Sequence, residues 1–332
     1  MSKATSTLEG STKGLFPAVP APSLMLIGMV STQVGAAFAK HLFGTAGPAA
    51  MTAMRLGFAA IVLLLWWRPT LRWDRATLAL VAAYGTSFGG MNLCFYLAMT
   101  RMPLGVALTI GFSGPLAVAV LSSRRRLDVG WVLLAALGVV LLGWTGGTGG
   151  LGGLLLALTI AVFWGAYVPL ASAVGRRIPG GGGLALAMAW GSLCVLPFGI
   201  AESGSALADP KVLAPGLGVA LLSSFVPYML EMETLRRVTP LVFGVLLSLE
   251  PAIGAAIAWI GLGEHLGAAQ ILGIAAVVVA SVGAIYGTQR QPRRAALPVV
   301  KDIAFERTGY GRETAPVRSG LPDRCNSAGP GD

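Results

Sequence analysis

Apolar residues run through this chain in blocks of about twenty, the length a helix needs to cross the ~30 Å hydrocarbon core of a bilayer. Ten blocks fall near 22–41, 48–67, 76–98, 103–123, 129–145, 151–172, 184–201, 213–235, 240–262 and 267–287. The second and fifth are the shortest relative to a bilayer. Short connections make sequential blocks antiparallel neighbours. The pattern predicts an all-α integral membrane protein with ten transmembrane helices. Residues 1–21 and 288–332 are polar and are expected to be disordered ends. Ala37-Phe38-Ala39 resembles a signal-peptidase site, but the long, weakly basic lead and Gln33 within the block favour a retained first helix.

Composition agrees. The chain has 332 residues, 55% hydrophobic and 11% charged, with mean hydropathy +0.74, where soluble domains carry about 25% charge. Its 46 glycines suit helices packed through small residues. The net charge of +10 is topological rather than a nucleic-acid footprint. Of the 24 Lys and Arg, only Lys40, Arg101 and Lys211 fall in connections on one side, and Arg55 lies inside a span. The rest flank the other side, so the positive-inside rule places both termini in the cytoplasm of a cell (inner or plasma) membrane protein. Cys94, Cys194 and Cys325 form no disulfide framework, and no HExxH or GxxxxGK[ST] motif occurs. The expectation is therefore no metal, no cofactor and no ATP drive within this chain.

Polar residues inside the spans are the candidate chemistry. Glu250 sits near the middle of the ninth block, where a carboxylate costs roughly 2.5–3.5 kcal/mol, and Pro251 follows it. Such an acid faces a protein interior or a water-filled cavity; the alternative is a protonated Glu bonded to a neighbouring helix. Gln33 lies mid-span. Asn92 and Tyr96 (i, i+4), Trp164 and Tyr167 (i, i+3), and Tyr228 and Glu231 (i, i+3, after Pro227) each share a helix face. The cavity set is thus Gln33, Asn92, Tyr96, Trp164, Tyr167, Tyr228, Glu231 and Glu250, with Pro115, Pro227 and Pro251 as helix distortions. It suits a small zwitterion, the acids meeting an ammonium and amides or helix termini a carboxylate. The bland alternatives are interfacial anchoring for Tyr and Trp, and helix bridging for Gln33 and Asn92. Glu250 and Glu231 are the candidate proton carriers. Glu233 is expected at the surface, Glu264 in a loop or gate, and Arg55 needs a partner the sequence does not name.

Sliding the chain by 136 residues lays Gly85–Leu116 over Leu221–Ala252, pairing Ser87 with Ser223, Arg101 with Arg237, Val106 with Val242 and Pro115 with Pro251. Two five-helix repeats of inverted orientation, 22–145 and 151–287, follow from that register.

Several stretches resemble the drug/metabolite transporter superfamily with its paired EamA-type halves, and within it the threonine/homoserine exporter branch. They are Ser31–Ala37 with Ala39-Lys40, Gly89–Asn92 with Phe95–Leu97, Gly114–Ala119 with Ser122–Arg125, Pro227-Tyr228, Leu230–Met232, Glu250–Ala252 and Leu262–Glu264. The resemblance implies ten helices, a central cavity, and export of small neutral amino acids against protons. It departs at Gly111, where the branch usually has Glu before the Phe of Phe112-Ser113-Gly114-Pro115. The competing expectations are a drug or other metabolite exporter of the same fold, and a non-transporting membrane sensor or enzyme. No nucleophile–base pair in the sequence favours the last.

Overall fold

The computed structural model describes residues 19–69, 73–121, 126–144, 149–178, 180–238 and 240–289. All regular elements among them are helical: α1 (Ala21–His41), α2 (Phe43–Ala46), α3 (Pro48–Trp67), α4 (Arg75–Ala98), α5 (Leu104–Leu121), α6 (Arg126–Trp144), α7 (Gly150–Arg177), α8 (Gly182–Ser203), α9 (Pro210–Ala220), α10 (Val226–Arg237), α11 (Pro240–Leu247), α12 (Glu250–Leu262) and α13 (Ala268–Gln289). A 3₁₀ turn (Gly204–Ala208) precedes α9, and a π-helical turn (Leu221–Phe225) joins α9 to α10. Most of the two polar ends falls outside the described residues.

Eight stretches are long and apolar enough to cross a bilayer: Ala21–His41, Pro48–Trp67, Arg75–Ala98, Gly150–Arg177, Gly182–Ser203, Pro210–Glu231, Val242–Leu262 and Ala268–Tyr286. Two shorter apolar helices, Leu104–Val118 and Gly130–Leu142, occupy the fourth and fifth blocks. The chain is a multi-pass, all-α membrane protein. Large apolar side chains such as Leu65, Trp66, Val162 and Ile260 point outward, as they do when lipid rather than water is the solvent.

Helix α3 packs on α8, α4 on α7 and α8, α5 on α7 and α12, α1 on α10 and α12, and α6 on α13. Without a hydrophobic drive in lipid, close van der Waals approach holds such pairs. Gly85 and Gly89, one turn apart on α4, lie against Gly191 of α8. A Cβ on Gly89 would stand 2.7 Å from the Gly191 carbonyl oxygen, and one on Gly191 2.6 Å from that of Gly85.

Acids satisfy free helix N-termini. Asp74 accepts from Thr77 N–H at the start of α4, and Asp209 from Lys211 N–H at the start of α9. Glu202 reaches from α8 to accept the Ala49 and Ala50 N–H groups of α3 at 2.7 and 3.1 Å. These bonds answer the orphan donors of a helix start. Glu233 is not at the surface as expected: it is 7% exposed and pairs with Arg237 one turn on.

The three prolines behave differently. Pro227 offers no N–H to the Ser223 carbonyl four residues back, and the chain widens into the π turn, where Val226 N–H reaches Leu221 O. Pro251 follows a two-residue turn at Ser248-Leu249 between α11 and α12, through which Ser248 N–H still reaches Gly244 O and Leu249 N–H reaches Leu246 O. Pro115 lies inside an uninterrupted α5. There Gly114 is pressed on α7 at the Ala161 carbonyl, with no room for a Cβ between them.

Candidate functional site

A single face of α1 (Met25, Met29, Thr32, Gln33 and Ala36) forms one wall of a cavity of about 160 Å³. Its remaining walls come from Arg55 of α3, Phe88 and Asn92 of α4, Trp164 and Tyr167 of α7, Ser223 of the π turn, Tyr228 and Glu231 of α10, and Glu250 of α12. The volume is far above the ~10–15 Å³ that one water occupies. It is below the ~300–1,000 Å³ of drug-sized pockets.

Seven of the eight sequence-nominated residues line this cavity: Gln33, Asn92, Trp164, Tyr167, Tyr228, Glu231 and Glu250. They come from five helices, brought together by the pairings of α1, α4, α7, α10 and α12. Tyr96 is the exception. It is fully buried and stands behind the lining, its hydroxyl accepting from Arg55 Nη1 at 3.4 Å. The i, i+4 relation to Asn92 placed it on the right face of α4, but one turn deeper, where Arg55 covers it.

Aromatic rings make the apolar part of the wall. Tyr84 and Tyr167 are 5.2 Å apart, Phe88 lies 5.8 Å from Tyr167 and 6.2 Å from Tyr228, and Phe112 meets Trp164 edge-on at 5.5 Å. Gly111 lies behind Ile160: a Cβ there would stand 2.6 Å from Ile160 Cγ2, and Ile160 lines the cavity. Where the resemblance calls for an acid, the wall is a branched hydrocarbon.

The polar part is built around turns between the helices. Glu250 is the first residue of α12, directly after the Ser248-Leu249 turn, and its Oε1 accepts from Gln33 Nε2 at 3.3 Å. Asn92 Nδ2 donates to Phe88 O at 2.8 Å. The carbonyls of Leu222 and Ser223, in the π turn, accept from Ser31 Oγ at 2.7 Å and from Arg55 Nη2 at 3.0 Å. Gly35 makes room for this turn, since a Cβ there would stand 2.1 Å from Ser223 Oγ. Among the described residues, the buried Gln33 Oε1 and Ser223 Oγ have no hydrogen-bond partner. Sequence reasoning did not nominate Ser223 for the cavity and could not place Arg55; a charge inside the second span was the only signal, and two of its three partners lie 168 and 169 residues away.

Beyond the cavity, Lys40 Nζ meets Glu264 Oε1 at 2.5 Å, and Glu264 Oε2 accepts Leu104 N–H at 2.9 Å. One carboxylate thus ties the ends of α1, α5 and α12. Between it and the cavity lie Ala39, Met51, Met99 and Leu104, all with at most 1% of their surface exposed. Among the described residues, no three His, Cys, Asp or Glu side chains come together as a metal site would need.

Residues 151–286 match the model of the EamA-like transporter family. The threonine/homoserine exporter RhtA of Salmonella typhimurium (strain LT2) is 38% identical over 290 residues, 86% of this chain and 98% of that protein. The chain belongs to the EamA-like transporter family. The RhtA exporter of Escherichia coli K12 is 37% identical over 274 residues, 81% of this chain and 92% of its own. A solved crystal structure shares the fold at a TM-score of 0.55, with 18% identity, 82% of this chain and all of that one covered. These curated relatives of the transporter are named as exporters, not as enzymes.

Proposed function

We propose that this transporter exports small neutral amino acids of the threonine/homoserine type, by proton antiport and alternating access between two inverted five-helix halves. One observation carries the reading: a small cavity is lined by two acids and two amides, in a chain whose relatives along nearly their whole length are named threonine/homoserine exporters. Its size favours a metabolite over the amphipathic drugs that a rival exporter of this fold would carry.

The packing plan supports the inverted halves. If α1, α3, α4, α5 and α6 are exchanged for α7, α8, α9–α10, α11–α12 and α13, the pairs α3–α8, α5–α12 and α6–α13 map onto themselves. The same exchange turns α4–α7 into α10–α1, α4–α8 into α9–α3, and α5–α7 into α12–α1, all of them observed contacts. Helices α5 and α6, with 18 and 19 residues, reach about 27–29 Å at 1.5 Å per residue. That is close to the ~30 Å core, and supports counting them as spans four and five of ten. Both termini are then cytoplasmic, as the basic connections require, in the cell's inner or plasma membrane.

In that orientation the Lys40–Glu264 pair and the buried layer beneath it close the cavity from outside. Glu264 works as an outer gate. Replacing Glu264 by Ala frees Lys40 and the α5 N-terminus together, so a cysteine at the fully buried Met51 position should react several-fold faster with a membrane-impermeant maleimide. Equal labelling rates with and without Glu264 would remove the gate.

The direct test of function is uptake of labelled threonine and homoserine into inside-out vesicles with an acidic lumen. Uptake above that of protein-free vesicles, collapsing on addition of a protonophore, is expected. Absence of uptake by folded protein would reject amino-acid export and favour another metabolite.

A further inference from the structure

Arg55 is 5% exposed, yet it forms part of the cavity lining. Its guanidinium carries five N–H donors. Nε–H donates to Ser224 Oγ at 3.1 Å, Nη1 to Tyr96 Oη at 3.4 Å, and Nη2 to Ser223 O at 3.0 Å. The Tyr96 ring centroid lies 5.5 Å from Cζ. All of these partners are neutral, and among the described residues no carboxylate lies within ion-pair distance of it. A buried cation hydrogen-bonded only to neutral groups gains when an anion closes on it, and Glu231 and Glu250, which line the same cavity, do not come within ion-pair distance. Two of its five N–H groups remain unused.

We infer that Arg55 is the anchor for the carboxylate of the transported amino acid. This rests on the amino-acid reading above and adds an orientation to it. The planar guanidinium fork matches a carboxylate, which can take two N–H groups at once. The other end of the zwitterion then meets Gln33, Glu250 and Glu231. Gln33 Oε1, buried and without a partner, is an acceptor for the ammonium. A purely structural brace of α3 against α4 and the π turn would need the three observed bonds. It would need neither a place on the cavity wall nor unused donors.

The test is calorimetric binding to purified full-length protein in nanodiscs. The probes are L-threonine and L-threoninol, which keeps the ammonium and the hydroxyl but has an alcohol in place of the carboxylate. Wild type should prefer threonine by about 10- to 100-fold, the usual worth of charge-assisted hydrogen bonds. Arg55→Gln should lose that preference by weakening threonine alone, with threoninol bound as in wild type. Arg55→Lys, which keeps the charge and loses the fork, should fall between them. Equal wild-type affinity for the two probes overturns the anchor without any variant. A folded Arg55→Gln that still prefers threonine overturns it while leaving amino-acid export intact. Wild type that binds neither probe overturns the export reading and the anchor with it. If Arg55→Gln does not fold, the wild-type probe series and Arg55→Lys decide.

Discussion

Glu250→Gln should reduce pH-gradient-driven threonine uptake to the level of protein-free vesicles, while threonine exchange at equal pH on both sides persists. The substituted amide has the same shape and can still accept from Gln33 Nε2, so the α1–α12 contact survives. It has no proton to load or release. The acid's position makes it the stronger of the two candidates: it opens α12 after a turn between two helices, lines the cavity, and is bonded across to α1. An acid that is expensive to keep in a membrane is kept for a reason, and movement of either half-helix at Ser248-Leu249 would change which side it faces. Glu231→Gln is the parallel measurement, since Glu231 lies one turn beyond Pro227 on the same cavity. Full gradient drive in both variants would leave an exporter without this coupling mechanism.

Gly89→Val should be the most damaging single change to the fold itself. Its Cβ would meet the Gly191 carbonyl at 2.7 Å, and neither that backbone nor the Gly85 carbonyl behind it can rotate away as a side chain could. Helices α4 and α8 would have to separate, undoing the van der Waals contact that holds membrane helices together. A destabilisation of about 3 kcal/mol or more is expected, at or beyond the upper end for an overpacked core. Gly218→Ala is the control, because nothing lies within 4 Å of its Cβ position. Melting curves of the two detergent-solubilised variants should separate sharply. A Gly89→Val protein that melts with wild type would mean that α4 and α8 are not held by this contact.

The spans were legible because each is a local property: an apolar run has to be a helix in lipid. The cavity was legible for a related reason, since Gln33, Asn92, Glu231 and Glu250 are too costly to face lipid and have few other places to go. What the sequence withheld depends on distant packing. Two of the three partners of Arg55 are supplied by a π turn that precedes Pro227, which lacks an N–H, and nothing local to Arg55 points to it. Tyr96 shares a face with Asn92, but only the position of Arg55 decides which of the two meets the cavity. Pro115 and Pro251 occupy equivalent places in the 136-residue register, yet only the second follows a turn between two helices, and nothing local to either residue distinguishes them. Glu233 reads in the sequence as a surface acid, and the fold buries it beside Arg237.

The cavity holds one guanidinium and two carboxyls, and this charge count has an electrical side. An amino acid passes as a zwitterion and carries no net charge across, whereas each proton that returns carries one. Under the proposed exchange the cycle is therefore electrogenic. A potential of 100 mV is worth about 2.3 kcal/mol per proton, equivalent to about 1.7 pH units at 1.36 kcal/mol each. Voltage alone would then sustain export in a cell whose interior and surroundings have reached the same pH.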